Sequence, residues 1–389
     1  MTNLKSQFLL RDDITYLNFG SFGACPKPVF EQYQQYQLEL EQEPVQFITG
    51  NGIRYLEASR KALAQYINCH HDDLVYVTNP SYAVNLVARS MDLKPGDEIL
   101  TTDLEYGASD KAWQFYCDQA GASYVKTKIT LPVDDHQQIV DAISNNITNR
   151  TKLIFISHIT SSTALRLPVE AIIHMAEDRN IPVFVDGAHA PGQLPIDLNA
   201  LGAAMYTGAC HKWMMTPKGS SFFYANKEWQ DKLDPLVISW GYKAMFPSHS
   251  RFLDYHQMNG TRDYSAFLTI PEALAFMHQY DWENVKKDCR ELVRSNAMQL
   301  CELLGTRPLA PLNDDYILQM FAAQIQTHAP EQLHDVLFEK YKIQIPVMRH
   351  GDKCYIRYSI QAYNTQQDLD RLLEVLSDLK KNSDLIREA

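Results

Sequence analysis

From residue 74 the chain alternates short β-branched runs with amphipathic stretches, and that rhythm leaves few folds open to it. LVYVT (74–78), EIL (98–100), ASYVKT (122–127), KLIFIS (152–157) and PVFVD (182–186) read as strands. The stretches between them, among them 106–120, 135–146 and 168–179 opened by Pro168, read as helices. Two more strand-like runs, AAMYTGA and SSFFYA, follow. Strands joined by crossover helices form a mainly parallel sheet covered on both faces, and such sheets bind ligands at the carboxyl ends of their strands. Chemistry is therefore sought just after each strand.

Near residue 250 the pattern breaks, because SWGYKAMFPSHSRFLDYHQMNGTRDYSAF is aromatic-rich, without clear period, and reads as loop. A helix-like 271–304 stretch comes next, then strand-like runs at 316–325, 343–348 and 354–360 and a closing amphipathic helix at 365–380. This describes a large α/β domain over 17–255 and a smaller α+β domain over 256–389, joined by the N-terminal segment 1–16. With 389 residues, 45% of them hydrophobic, the chain can bury two cores.

Composition removes several functions. Lys and Arg total 36 against 47 Asp and Glu, a net charge of -11, so no basic stripe is left for nucleic acid. No segment approaches the roughly 20 apolar residues of a membrane span, which gives the expectation of a cytoplasmic protein. Seven widely spaced cysteines without a CxxC pair read as reduced thiols. Thirteen histidines show no zinc spacing, so no metal is expected, and the His70-His71 pair reads as a solvated turn.

Two strand ends carry the informative residues. VFVDGAHA places Asp186 and His189 after one strand, and YTGACHKW places His211 and Lys212 after the next. A lysine beside apolar and aromatic neighbours loses solvation of its ammonium form and can become a nucleophile toward an aldehyde, forming a Schiff base. An aspartate in the same crevice can keep a pyridinium nitrogen protonated, which makes pyridoxal phosphate (PLP) an electron sink for a carbanion at Cα. Lys212 and Asp186 together fit that cofactor.

These residues sit in motifs that resemble fold-type I, class V aminotransferase-like PLP enzymes, and within them the isopenicillin N epimerase-like branch. The matching runs are YLNFGSFGACPKPV (16–29), TNPSYAVNLV (78–87), DLEYGA (103–108), SHITSSTALRLPV (157–169), VDGAHAPGQ (185–193), HKWMMTPKG (211–219), NGTRDYSAF (259–267) and IRYSIQAYNT (356–365). The resemblance implies the fold-type I transferase fold, with a mainly parallel seven-stranded sheet in the large domain. It implies that Lys212 is the Schiff-base lysine and proton shuttle, Asp186 the partner of the pyridine nitrogen, and His189 a neighbour of the ring's phenolic oxygen. Tyr106 would stack on the cofactor, while Glu105 beside it reads as structural. Ser81, the backbone NH of Tyr82 at a helix start, and His211 would hold the phosphate. Ser161, with Thr160, matches positions near the phenolic oxygen.

Thr261, after Gly260, resembles the segment by which one subunit touches the phosphate in the other subunit's site, which implies a homodimer. Arg357 would grip a substrate α-carboxylate, with Asn18 and the backbone of Phe19 and Gly20 lining the same pocket. Two departures stand out. Cys354 lies only three residues before Arg357 and reads as a strand residue, not as the mobile nucleophile of the cysteine desulfurases. Ala209 stands where many relatives carry a phosphate-binding serine, a contact that Thr207 or a water could replace.

The expected activity is removal of the α-proton from an amino acid or a peptide's amino acid end. Reprotonation from the opposite face gives epimerisation, the leading expectation. Loss of a β-substituent would make the enzyme a carbon-sulfur β-lyase of cysteine derivatives, and protonation at the cofactor carbon an aminotransferase. A protein that binds PLP without catalysis is the weakest reading.

Overall fold

A computed structural model of the chain describes residues 4–387, and the alternation appears in it as one continuous sheet. After β1 (Thr15–Tyr16) come β2 (Leu74–Val77), β3 (Glu98–Thr102), β4 (Ser123–Thr127), β5 (Thr151–Ser157), β6 (Val183–Asp186), β7 (Met205–Ala209) and β8 (Ser221–Ala225). The last seven form one sheet in the order β2-β8-β7-β6-β5-β3-β4. All of its pairings are parallel except the two made by β8.

Both faces are buried, and the strand residues show why. Leu74 and Tyr76 join one hydrophobic cluster while Val75 and Val77 join the other. Ile154 and Ile156 alternate with Leu153 and Phe155 in the same way. A period of 2 with apolar residues in both phases is what a sheet between two helical layers demands. Register then aligns the strand ends: Ser157 of β5 pairs with Asp186 of β6, which pairs with Thr207 of β7.

The remaining strands are β9 (Met320–Ile325), β10 (Ile343–Gln344), β11 (Val347–His350) and β12 (Lys353–Ser359), with β11-β12-β9 antiparallel. The N-terminal segment hydrogen-bonds to this part of the chain. β1 runs parallel to β10, Leu4 N donates to Ala362 O at 2.9 Å, and Ser359 N donates to Leu17 O at 2.8 Å. Residues 1–3 of that segment lie outside the described residues.

Several local expectations shift. The run 343–348 divides into β10 and β11 around Pro346, which has no N–H to give a ladder. The 271–304 stretch is two helices, Ile270–Gln279 and Trp282–Leu304, separated where Asp281 turns left-handed at φ 48°. The region read as loop contains the helix Arg251–Gln257, started by Ser250 Oγ accepting from Leu253 N. Helix Gly52–Tyr66 had no counterpart in the sequence reading. The His70-His71 turn is tied down more firmly than a solvated one. His70 Nδ1 accepts from Asp72 N, and buried Asp72 is held by Arg60 at 3.1 Å and by His249 at 2.8 Å. All seven cysteines are free thiols, five of them buried. No helix among the described residues is long and apolar enough to cross a membrane.

Candidate active site

The carboxyl ends of β5 and β6 and the turns after β2, β3 and β7 open into one cavity of about 370 Å³. Ser81, Tyr106, Ser161, Asp186, His189, His211 and Lys212 all lie on its wall, so seven residues singled out from the sequence converge there.

Lys212 follows β7, and loss of solvation lowers its amine to about 8, with Arg357 reinforcing the fall and Asp186 opposing it. Its Nζ lies 3.3 Å from His189 Nε2. His189 Nδ1 faces Trp213 Nε1 at 3.3 Å. The indole can only donate, so Nδ1 is the acceptor and the proton of the neutral ring sits on Nε2. Burial keeps that ring neutral by pushing its pKa well below the usual histidine value. The Nε2–H then has Lys212 as its acceptor only when the amine is uncharged, so the contact favours the nucleophilic form.

Asp186 ends β6 with Oδ1 accepting from Ala188 N at 3.0 Å and Oδ2 from Ser109 Oγ at 3.5 Å. Burial raises its pKa, while the Ala188 bond, the Lys212 charge and Ser109 pull it down. A buried carboxyl in this position gains most from a cationic partner inside the cavity.

After β2, helix Pro80–Ser90 starts at the wall. The Tyr82 amide, expected to serve a phosphate, is already taken: it donates to Asn79 Oδ1 at 2.9 Å as the helix cap. Tyr82 is also absent from the wall, whereas Asn79 and Ser81 line it. His211 lines the cavity with Nδ1 donating to Ser220 O at 2.8 Å, and burial lowers its pKa to about 4. The neutral ring therefore offers Nε2 as an acceptor, and it can donate to an anion only by gaining a proton. Thr207 does not replace the missing serine at 209, because its buried hydroxyl donates to Phe222 O at 2.8 Å.

Tyr106 stands half-exposed on the wall, directly before helix Gly107–Ala120. Thr160, by contrast, spends its hydroxyl on Thr163 and Leu165.

Arg357 on β12 is buried and stands behind the wall. Its Nη1 donates to the Ser161 carbonyl and lies 3.4 Å from Ser161 Oγ, Nη2 donates to Ser21 Oγ at 3.3 Å, and Nε has no partner. Burial lowers its pKa from 12.5 to about 10. Asn18 Oδ1 accepts from Ser21 Oγ at 2.5 Å, so Asn18 and Arg357 flank the same serine. Thr261 is exposed and does not line this chain's cavity.

Gly23 shows why the N-terminal motif is close-packed here. It has φ 68°, and a Cβ there would meet His211 O at 2.2 Å and Lys212 O at 2.8 Å. The sequence reading missed Lys218, a cation on the wall whose pKa burial lowers. Its only signal was the PKG at the end of HKWMMTPKG, which does not say where the side chain points. Ser157, Phe22 and Thr78 line the cavity without having been foreseen.

The donor set suits pyridoxal phosphate. It provides a depressed amine for the aldehyde, a buried carboxyl awaiting a cationic partner, an aromatic ring, and a helix start with two polar side chains for the phosphate.

The model of the Aminotransferase class-V family matches residues 16–372. Isopenicillin N epimerase of Amycolatopsis lactamdurans is 30% identical, over 97% of this chain and 98% of its own. A probable chloroplastic L-cysteine desulfhydrase of Arabidopsis thaliana is 27% identical, over 98% of this chain and 86% of its own. Among solved structures, a lysine mutant of C-DES with glycine covalently linked to its PLP cofactor superposes with a TM-score of 0.81 at 22% identity, covering 96% of this chain and 99% of that one.

Proposed function

Because the chain belongs to the class-V aminotransferase family and its cofactor is pyridoxal 5'-phosphate, we propose that it takes the α-proton from an amino acid, or from the amino acid end of a larger substrate, in an epimerase-like reaction. The observation that carries this is Lys212, an amine lowered to about 8 on the wall of a cavity it shares with Asp186. When bound, the cofactor supplies an aldehyde for that amine and an electron-accepting ring. Lys212 would hold the cofactor through its amine and, when free, would serve as the base for the α-proton. Asp186, as a carboxylate, would stabilise a proton on the ring nitrogen. His189 and Ser161 would hold the phenolic oxygen, and Tyr106 would hold the ring by stacking. Ser81 would donate to the phosphate, and His211 would do so once protonated at Nε2. Arg357 binds the substrate carboxylate after that group displaces Ser21 and Ser161, and Asn18 orients Ser21.

The epimerase reading is favoured by the 30% identity to isopenicillin N epimerase across nearly the full length of both chains. The second reading, a carbon-sulfur β-lyase, is favoured by the likeness to the L-cysteine desulfhydrase. Sulfur capture by Cys354 has no support, since that residue is buried in β12 between Arg349 and Ile325. Proton NMR in deuterated water, with L-amino acids, cysteine conjugates and short peptides, separates the readings. Deuterium at Cα with the D-isomer and no keto acid supports epimerisation; pyruvate, ammonia and a released thiol make the enzyme a lyase.

Replacing Arg357 with Ala raises KM about 30-fold or more, the equivalent of losing ~2 kcal/mol or more from a buried charged contact. A KM unchanged for carboxylate substrates contradicts the assignment, and a decarboxylated analogue is the control whose KM stays put.

The protein acts as a homodimer in this reading, with Thr261 of one protomer serving the phosphate of the other site. Exposed Trp240, Met245 and Phe246 precede Thr261 and give a partner apolar surface to cover. Sedimentation of the PLP-loaded enzyme shows a dimer; an active, strictly monomeric form refutes the shared site.

A further inference from the structure

Behind the cavity wall, against Ser157 and next to Tyr106, lies a buried acid without a role. Glu105, between β3 and Tyr106, is 2% exposed, and three polar groups of two residues, Thr102 and Ser157, reach its carboxyl. Thr102 Oγ1 lies 2.7 Å from Oε1, close enough to donate to a carboxylate or to accept from a protonated carboxyl, while Ser157 N donates to Oε2 at 2.9 Å and Ser157 Oγ lies 2.5 Å from it. Thr102 ends β3 and Ser157 ends β5, so one side chain bridges two strand ends. Ser157 also sits beside Asp186 in the β5–β6 register. Four residues after Glu105, Ser109 reaches Asp186 Oδ2. The segment 105–109 thus touches both strand ends, the Asp186 carboxyl and, through Tyr106, the cavity.

We propose that Glu105 is a positioning residue, its carboxyl tying β3 to β5 and so fixing Tyr106 and Asp186 relative to each other. This rests on the reading of Asp186 as partner of the cofactor's ring nitrogen.

The surroundings favour the protonated form. The groups that face Glu105 are Asp186 from β6, Asp110 from the helix Gly107–Ala120 and Tyr124 from β4, and none of them is a cation. Lys126, the nearby base, is engaged with Asp110 at 2.6 Å. Burial first, and the two aspartates after it, push Glu105 up to about 8 against the opposing hydrogen bonds from Ser157 and Thr102. A protonated carboxyl has one donor as well as acceptor capacity, and a glutamine amide has both too. Glutamine therefore reproduces the working form at neutral pH but cannot ionise above it.

Ionised, Glu105 adds a negative charge beside Asp186 and strengthens the hold on a proton that Asp186 stabilises. The two forms of the residue are thus distinguishable through the cofactor spectrum. The same ionisation bears on folding. A folded pKa of about 8 lies above the unfolded carboxyl value, so the wild type is uncompromised below the unfolded value and progressively loses stability as pH rises to about 8.

The test compares the PLP-loaded wild type, Glu105→Gln and Glu105→Ala from pH 5 to 10 by visible absorbance, cofactor dissociation constant and melting temperature. The proposal expects Glu105→Gln to bind the cofactor as the wild type does at pH 7, with a spectral midpoint lower by about 0.5 to 1 pH unit. Its melting temperature gains on the wild type between pH 5 and 8 and then levels. Glu105→Ala weakens cofactor binding about tenfold or more, by leaving Ser157 and Thr102 without their partner. Lys212 titrates in the same range, so the difference between wild-type and glutamine curves is the readout, and it decides alone if the alanine variant does not fold. Coincident curves for wild type and glutamine, or an alanine variant with wild-type affinity, overturn the proposal. If Asp186→Asn leaves the loaded spectrum unchanged, the Asp186 reading falls and takes this proposal with it. Coincident curves beside a spectrum that does respond to Asp186→Asn sink Glu105 alone.

Discussion

Lys212→Ala is expected to remove the visible absorbance of the lysine-bound cofactor and to lower turnover about 10³-fold or more, since in the proposed reaction one side chain supplies both the covalent anchor and the base. Cofactor held only by Asp186 and the phosphate contacts then washes out on dialysis, where the wild type retains it. The pH dependence is a separate check. The neutral amine is the nucleophile and its pKa is lowered from 10.5 to about 8. Cofactor uptake by the apoenzyme should therefore quicken about tenfold per pH unit below 8 and level above it. Stopped-flow absorbance measures this, and a rate still climbing at pH 10 means the amine is ordinary. A Lys212→Ala variant with native turnover ends the lysine assignment.

Asp186→Asn is the second large effect, and it lowers kcat about 10²- to 10⁴-fold, the equivalent of ~3–5 kcal/mol for a buried charge pair broken from one side. The amide can still accept from Ala188 N, so the turn after β6 survives and the melting temperature of the apoenzyme changes little. Burial already raises the Asp186 pKa without a partner, so the neutral amide resembles the apo form and departs from it only once a cation must be held. Separate measurement of kcat and apoenzyme melting shows this. Equal losses in both would make Asp186 a folding residue.

Much of this was written locally in the chain. Strands β2 to β6 announce themselves by β-branched runs and β7 and β8 by the runs AAMYTGA and SSFFYA; Asp186 ends one of these strands and Lys212 comes just after another. What the sequence hid depends on partners far along the chain or on side-chain direction. The Tyr82 amide looked free at a helix start until Asn79 turned out to cap it. Glu105 looked like a neighbour of Tyr106, because its decisive donor, Ser157, comes from another strand. Lys218 was one charged residue among 36 Lys and Arg until the fold placed it on the cavity wall. Helix Gly52–Tyr66 was missed although four of its six buried residues, Leu56, Ser59, Arg60 and Leu63, follow helical spacing. Two of those four are polar, so apolar periodicity alone does not reveal it.

The pairing of the N-terminal segment with the last strands has a consequence for the order in which the protein can be made. Leu17 accepts from Ser359, and Ser21 meets Arg357 across a sequence separation of 336. The ribosome releases the large sheet, with Lys212 and Asp186, well before β12 exists. A nascent chain can therefore complete its sheet and bring the lysine to its strand end, yet β1 stays unpaired and Ser21 has no guanidinium to meet. Contacts of such high sequence separation form late and slowly, and an open strand edge invites misassembly meanwhile. The carboxylate grip proposed for Arg357 is the last part of the site to be built, so truncation near the C-terminus is expected to leave a folded sheet with the Lys212 amine in place and without the arginine proposed to select its substrate.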